Sequence, residues 1–112
     1  MKPAKNILEP ASAPLNTAVL VMDDCNTLSF AAGVDPMRAA NRLAGRRVFD
    51  WHYVTATGEP ATLTSGIRVP GTALSRLTGC DLLMVIAGFG LQMHSTAALR
   101  ASLRRIAAQG AT

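Results

Sequence analysis

The sequence predicts an α/β fold, a partial doubly wound parallel sheet sandwiched by helices. Apolar runs of strand length alternate with amphipathic helical segments, a pattern typical of parallel strands joined by crossover helices. The 112 residues are 49% hydrophobic, with a mean hydropathy of +0.24, which suffices for one core but not for two domains. Charged residues make up 16% of the chain, a fraction too low for wholesale disorder.

The first strand is predicted where the composition changes from proline-rich to apolar. Residues 1–16 contain three prolines and are expected to form a flexible amino-terminal arm. Residues 17–22 (TAVLVM) are apolar and rich in β-branched side chains, and they end at Asp23 and Asp24. This pattern indicates a strand buried on both faces.

Residues 28–43 have the periodicity of an amphipathic helix. Pro36 leaves two alternatives open: one kinked helix, or a second helix that begins with Asp35 as its N-cap. Gly45 is expected to end the helix in either case. The apolar side is assigned to Leu28, Phe30, Ala31, Val34, Met37 and Ala40.

The middle of the chain predicts a second strand and a small hairpin. Residues 49–56 (FDWHYVTA) are aromatic and β-branched, which favours a strand. Residues 61–64 and 67–69 flank Ser65 and Gly66, as the arms of a short hairpin or of an irregular edge strand would. Residues 73–77 are expected to form a single helical turn.

The last third predicts a strand, a loop and a helix. Residues 81–86 (DLLMVI) have the length and composition of another strand buried on both faces, and a glycine-bearing loop follows over residues 87–93. Ser95 or Thr96 is expected to cap a helix that Gly110 ends. Arg100, Arg104 and Arg105 are expected to form a solvated face of that helix, with a dimer or interdomain surface as the alternative.

Charge and cysteine content exclude several classes of function. The net charge of +4 comes from arginines scattered along the chain, so no stripe suited to nucleic-acid phosphates is expected. Cys25 and Cys80 lie far apart without zinc-ligand spacing, so neither a structural zinc nor a disulfide scaffold is expected, and a reducing cytoplasmic location is favoured. No metal site and no cofactor are expected. No segment has the length of a membrane span.

Three segments taken in order resemble a known family. They read VLVMDDCNTLSFAAGVDPMRAANRLAG, FDWHYVTATGEPATLTSGIRV and CDLLMVIAGFG, and the phrase DPMRAAN at residues 35–41 is close to the family phrase EPLRxAN. They are similar to the amino-terminal domain of AraC-type transcription regulators of the GlxA kind. That domain belongs to the ThiJ/PfpI, class I glutamine amidotransferase-like superfamily, and the resemblance covers the chain from about Ala18 to its end.

The resemblance implies a flavodoxin-like sensor domain, incomplete over residues 17–112, without catalytic activity. It further implies a small-molecule effector, of which nitrogen-containing metabolites are one class, and a homodimer in the full-length protein. DNA would be bound only by a carboxyl-terminal helix-turn-helix domain that this chain lacks.

Two departures from the enzymes of that superfamily bear on mechanism. Alignment on the DPMR segment places Ser29 where the enzymes have an acid, and residues 87–89 (Ala-Gly-Phe) replace the family's Pro-Gly-Gly. The nucleophile elbow would follow the last helix and is absent. An enzyme fragment of the same superfamily, such as a hydrolase or amidase, and a module completed by a partner chain remain the alternatives.

The candidate site lies at the carboxyl ends of the first and last strands. In open parallel sheets, ligands bind outside these ends, near the point where the strand order reverses. Such a crevice suits a small polar or cationic ligand, whereas catalysis by Cys25 with His94 is disfavoured because neither lies on an elbow. The candidate ligand-binding residues are Asp24, Cys25, Asn26, Gly88, Phe89 and His94.

Other chemically distinctive residues are expected to have structural roles. Cys80 is expected to pack, and His52 is expected to lie on the surface of the second strand, opposite Trp51 and Tyr53. Arg38 and Asn41 are expected to cap, to form an ion pair with Asp35 or to contact an interface rather than to bind a ligand.

Overall fold

A computed structural model of the chain describes residues 13–112. These residues form six strands, three α-helices and one 3-10 turn. The strands are β1 (Leu15–Val21), β2 (Phe49–Thr55), β3 (Ala61–Thr62), β4 (Arg68–Val69), β5 (Thr72–Ala73) and β6 (Leu82–Ile86). The helices are α1 (Thr27–Ala44), α2 (Leu91–His94) and α3 (Ala97–Ala108), and the 3-10 turn is Leu74–Arg76.

Four strands form one parallel sheet in the order β5-β2-β1-β6. The chain proceeds from β1 to β2 and β5 on one side and then returns to place β6 on the other side of β1. The strand order therefore reverses between β1 and β6, as in doubly wound sheets. Strands β3 and β4 pair antiparallel as a separate small hairpin, which confirms the predicted one.

Strand β1 lies at the centre of the molecule because its apolar side chains are covered on both faces. From Thr17 to Val21 every residue is buried, as the sequence predicted. The strand begins at Leu15, so it includes two residues assigned to the arm. Residues 1–12 of that predicted arm lie outside the described residues.

The two faces of the sheet are covered by different helices. One core joins Val19, Val21 and Ile86 of the sheet to Met37 and its neighbours on α1. The other core joins Leu20, Val54 and Leu74 to Leu99 and Ile106 of α3. The predicted sandwich of helices around a parallel sheet is thereby confirmed.

Helix α1 is a single helix, so the alternative with a second helix beginning at Asp35 is wrong. Asn26 caps it, accepting a hydrogen bond from the Ser29 amide at 2.7 Å, and Gly45 ends it in the left-handed conformation. Leu28 was assigned to its apolar side, but the Leu28 side chain is 80% exposed. The inward side instead repeats at Phe30, Val34 and Met37, with spacings of four and three residues.

Two other predictions about elements need correction. The predicted loop over residues 87–93 contains the start of the short helix α2, and β5, which follows Gly71, was not predicted. Strand β6 is only partly buried, because Val85 is 49% exposed at the edge of the sheet. Beyond α3, the backbone of Thr112 lies along this edge, donating to the Asp81 carbonyl at 2.9 Å and accepting from the Leu83 amide at 2.8 Å.

Three polar residues of α1, Asp35, Arg38 and Asn41, have structural roles. Arg38 bonds to the Asp35 carboxylate at 2.7 Å, and this bond together with the positive charge lowers the pKa of Asp35. Asn41 fixes the approach to β2: its Oδ1 accepts from the amides of Val48 and Phe49, and its Nδ2 donates to the Phe49 carbonyl. Both observations agree with the prediction that Arg38 and Asn41 have structural roles.

Candidate functional site

The loops that follow β1 and β6 are in direct contact at the carboxyl edge of the sheet. A Cβ atom added to Gly88 would lie 3.0 Å from the Asp24 carbonyl oxygen and 3.0 Å from the Cys25 Cα. Both neighbours are backbone, which cannot move aside as a flexible side chain could. A side chain at this position would therefore have to push the two loops apart by a few tenths of an ångström.

A hydrogen bond joins the same two loops a few residues further on. Nε2 of His94, at the end of α2, lies 2.9 Å from Oδ2 of Asp24. Asp24 has a φ of 66°, an uncommon conformation for a residue other than glycine. Its amide donates to the Thr62 carbonyl at 2.9 Å, which helps to hold the strained turn in place.

Asp23 anchors the β1 loop to the small hairpin. Its Oδ1 accepts a hydrogen bond from the Thr62 amide at 2.8 Å. The Asp23 and Asp24 side chains thus have different partners: Asp23 bonds to the hairpin backbone, and Asp24 bonds to His94.

Cys25 faces the core rather than the crevice. Its side chain has no accessible surface, and it packs in the cluster beneath α1. Burial raises the pKa of the Cys25 thiol, and the charge of Asp23 raises it further. The residue is therefore a protonated thiol inside the protein, the opposite of an activated nucleophile.

The six candidate residues of the crevice thus fall into two groups. Asp24, Cys25, Gly88 and His94 come together where the loops meet, although only Asp24, Gly88 and His94 have accessible surface. The other two point elsewhere: the Asn26 side chain caps α1, and Phe89 is 80% exposed to solvent.

A cavity of about 310 Å³ adjoins this junction on the α3 side of the sheet. It lies over the carboxyl ends of β1 and β2, beside the 3-10 turn and beneath the segment that joins α2 to α3. His94 is the one candidate crevice residue among its described lining. The other lining residues include Met22, Asp23, Thr55, Thr57, Glu59, Ser75, Met93, Thr96, Leu99 and Ser102.

The cavity lining combines apolar walls with acidic and hydroxyl groups. Asp23 and Glu59 supply two carboxylates, and none of the described lining residues is a lysine or arginine. Leu74 and Leu99 supply the buried apolar wall. Pockets for small metabolites have this composition and begin at about this volume.

Hydrogen bonds fix the polar groups around the cavity. Thr55 Oγ1 accepts from the Gly58 amide at 3.0 Å, and Thr96 Oγ1 caps α3 by accepting from the Leu99 amide at 3.1 Å. Arg105 links α3 to the residue that follows the 3-10 turn, because its guanidinium donates to the Leu77 carbonyl at 2.8 Å. The prediction that Arg105 belongs to a solvated face is therefore wrong.

Sequence reasoning missed the contribution of β2 and of the hairpin to the site. It considered only the strands that flank the point of reversal, β1 and β6, and so omitted Thr57 and Glu59. A signal was available, because residues 57–59 follow a predicted parallel strand and its carboxyl end must lie at the same edge of the sheet.

Three further features of the described residues bear on the sequence-based predictions. No group of three or more histidine, cysteine, aspartate or glutamate side chains within residues 13–112 is arranged to hold a metal ion. None of the helices there has the length and apolar character that crossing a bilayer requires. Cys80 packs against the core beneath α3, and His52 is exposed, as expected.

Comparison with curated proteins finds HTH-type transcriptional regulators. The chain is 34% identical over 94 residues to the HTH-type transcriptional regulator CdhR of Pseudomonas aeruginosa, covering 83% of the chain and 28% of CdhR. It is 29% identical over 84 residues to the HTH-type transcriptional regulator GbdR of the same species, covering 74% of the chain and 23% of GbdR. The chain thus spans about a quarter of these relatives. No family model matches it.

Solved structures share the fold. An AraC family transcriptional regulator from Pseudomonas putida superposes with a TM-score of 0.71 at 25% identity, over 87% of this chain and 61% of that one. A DJ-1 superfamily protein from Agrobacterium tumefaciens superposes with a TM-score of 0.65 at 21% identity, over 87% of this chain and 50% of that one. The chain is thus an α/β domain of DJ-1/ThiJ fold whose relatives are HTH-type and AraC family transcriptional regulators, which confirms the family resemblance of its motifs.

Proposed function

We propose that the chain is the ligand-sensing, non-catalytic part of a cytoplasmic AraC-type transcription regulator. Its effector is a small polar or cationic metabolite, with nitrogen-containing compounds the favoured class. DNA is bound by a helix-turn-helix domain in another part of the full protein, which acts as a homodimer. The similarity to CdhR and GbdR, both HTH-type regulators, supports the regulatory role.

The observation that carries the proposal is the acidic cavity at the carboxyl edge of the sheet. Two carboxylates, Asp23 and Glu59, line a space of about 310 Å³ next to hydroxyl groups and a buried apolar wall. A cation attached to a small apolar body would gain from both features, because carboxylates attract the charge and the wall accepts the methylene or methyl groups.

The state of Cys25 supports the part of the proposal that excludes catalysis by Cys25 with His94. That chemistry would require an activated thiol, whereas burial raises the pKa of the Cys25 thiol and keeps it out of contact with the cavity. The hydrogen bond between Asp24 and His94 also engages the imidazole that Cys25 would need as its base.

The experiment that tests the proposal is a thermal-unfolding screen with small amines, amino acids and quaternary ammonium compounds, alongside neutral and anionic compounds of matched size. We expect cationic compounds to raise the melting temperature, since a ligand at 100 times its Kd stabilises the folded state by about 2.7 kcal/mol. The double variant Asp23→Asn, Glu59→Gln should bind at least about tenfold more weakly. The Asp23→Asn change retains the oxygen that accepts from Thr62.

A matched control is Asp50→Asn, because Asp50 is an exposed carboxylate at the amino end of β2, away from the cavity. The proposed ligand class would be wrong if only neutral or anionic compounds bound. The proposed location would be wrong if the double variant and Asp50→Asn bound the same cation equally well.

A further inference from the structure

The opening of the cavity is bordered by a segment with exposed apolar side chains. Phe89, Leu91 and Met93 are 80%, 45% and 83% exposed, and none of the four residues of α2 is buried. Of these three side chains, only Met93 belongs to the described lining of the cavity. Met93 therefore presents a large apolar side chain to solvent at the edge of the space in which we place the effector.

This exposure distinguishes Met93 from the other large apolar residues of the described lining. Those residues are buried in the two cores of the domain: Val21, Met22, Leu74 and Leu99. The fold itself covers their surface, so a ligand adds little to their burial. Most of the Met93 side chain is still in water, and a ligand in the cavity would cover it.

The backbone around Met93 is held in place, whereas its side chain can change rotamer. The next residue, His94, bonds to the Asp24 carboxylate at 2.9 Å, and Arg100 donates to the Ser95 carbonyl at 2.7 Å. Methionine has three rotatable side-chain bonds and a polarisable sulfur, so it adapts to irregular apolar shapes. This combination suits a residue that packs over a ligand.

The lining divides recognition of a ligand between its charge and its apolar tail. Asp23 and Glu59 attract the charge of a cation whatever its tail. Leu74 and Leu99 accept one side of an apolar tail, and Met93 can cover a side that would otherwise remain in water. Each methylene that is buried in this way strengthens binding by about fourfold.

We propose that Met93 determines the specificity of the cavity, selecting cations with an apolar tail over compact polar ones. The inference rests on the proposed function, since it requires a cationic effector in this cavity. It adds the class of that effector: a monovalent cation that carries an alkyl chain of several carbon atoms. Because Met93 acts on the tail alone, its replacement should leave the binding of the charged group unchanged.

The first test measures dissociation constants of n-alkylammonium ions, from methylammonium to butylammonium, by NMR titration of the chain. We expect the affinity of the wild type to rise by about fourfold per methylene. Met93→Ser should bind butylammonium at least about fivefold more weakly than the wild type, and methylammonium within about twofold of it. Met93→Leu keeps an apolar side chain of similar size and should restore butylammonium binding to within about twofold.

Phe89→Ser is the matched control, because Phe89 is equally exposed on the same segment but lies outside the described lining. It should keep the wild-type affinity for every ion. The role of Met93 would be overturned, with the acidic site still standing, if wild-type affinity did not depend on chain length. The same holds if Met93→Ser kept the wild-type increase per methylene. A wild type that bound none of the ions would contradict the proposed function itself, and the role of Met93 with it.

The second test observes the contact directly, in chains labelled with carbon-13 at the methionine methyl groups and saturated with butylammonium. Butyl protons should give nuclear Overhauser effects to the Met93 methyl group, whose signal is identified by its loss in Met93→Leu. Met37, which packs beneath α1 on the other face of the sheet, should give none. A bound butylammonium ion without a contact to Met93 would contradict the assignment.

Discussion

At the scale of single residues, the sequence was most informative where backbone topology alone decides a position. The carboxyl ends of neighbouring parallel strands must meet at one edge, so the approach of Asp24, Gly88 and His94 was predictable. The orientation of Cys25 was not, because a residue that follows a strand can face either the crevice or the core. Packing beneath α1 decides that orientation, and it depends on side chains distant in sequence.

Asn41 illustrates a role that its local sequence does not reveal, since its three hydrogen bonds reach residues seven and eight positions further along. Asn41→Ala removes all three and leaves the Val48 and Phe49 backbone groups without these partners. We expect the free energy of unfolding to fall by about 2–4 kcal/mol, measured by urea denaturation. The neighbouring exposed variant Arg42→Ala should change it by about 0.5 kcal/mol or less. Equal effects of the two variants would contradict this role.

The buried thiol of Cys25 predicts how stability depends on pH. Burial raises its pKa above the ordinary value of 9.0, so the folded protein holds this proton more tightly than the unfolded chain does. The resulting stabilisation is fully present below the unfolded pKa and is lost as the pH rises through the folded pKa.

Urea unfolding between pH 7 and pH 10.5 measures this effect. The wild type should lose stability more steeply above pH 9 than Cys25→Ala, with the difference in slope limited to about 1.4 kcal/mol per pH unit. Comparing slopes cancels any constant cost of the substitution. Parallel curves for the two proteins would show that the thiol ionises as readily in the folded state as in the unfolded chain.

At the scale of elements, the hydrophobic periodicity and the length of a segment were sufficient to predict the long helices and strands. They were not sufficient to predict the short ones. Strands β1, β2 and β6 and helices α1 and α3 were all predicted within about two residues, because each has a sustained apolar pattern. Strand β5, with two residues, and helix α2, with four, are too short to have a period. Both depend on neighbouring elements, β5 through its pairing with β2.

Pro36 shows a conflict between local preference and packing. It lies inside α1, where proline has no amide to offer the Ala32 carbonyl, yet the helix continues through it. The apolar residues on both sides of Pro36, Val34 and Met37, pack on the sheet and hold the helix together.

Pro36→Ala should therefore stabilise the protein. Because an interior proline costs up to about 3 kcal/mol and the site is exposed, we expect a gain of about 1–3 kcal/mol in the free energy of unfolding, measured by urea denaturation at low protein concentration. Pro70→Ala is the control, since a loop proline restricts the unfolded chain and its removal should not stabilise. A loss of stability in Pro36→Ala would indicate that the ring itself contributes packing at this position.

At the scale of the whole molecule, the alternation of strands and helices was enough to predict the sheet and the helices on its two faces. The cavity could not be predicted, because its shape depends on how α3 lies over the ends of β1 and β2. Contacts such as the bond from Arg105 to the Leu77 carbonyl fix that position, and they join residues 28 apart in sequence. The unequal burial of β6 likewise follows from its place at the edge of the sheet.

The bond between Asp24 and His94 connects the cavity to the start of helix α1. His94 lines the cavity, and Asp24 lies two residues before Asn26, which caps α1. A ligand that draws the imidazole toward itself would release the turn on which the first residues of α1 depend. The cavity and the first turn of α1 are therefore arranged in series, and thermodynamic linkage makes their communication reciprocal: whatever factor an effector applied to the order of this turn, ordering of the turn would apply to effector affinity.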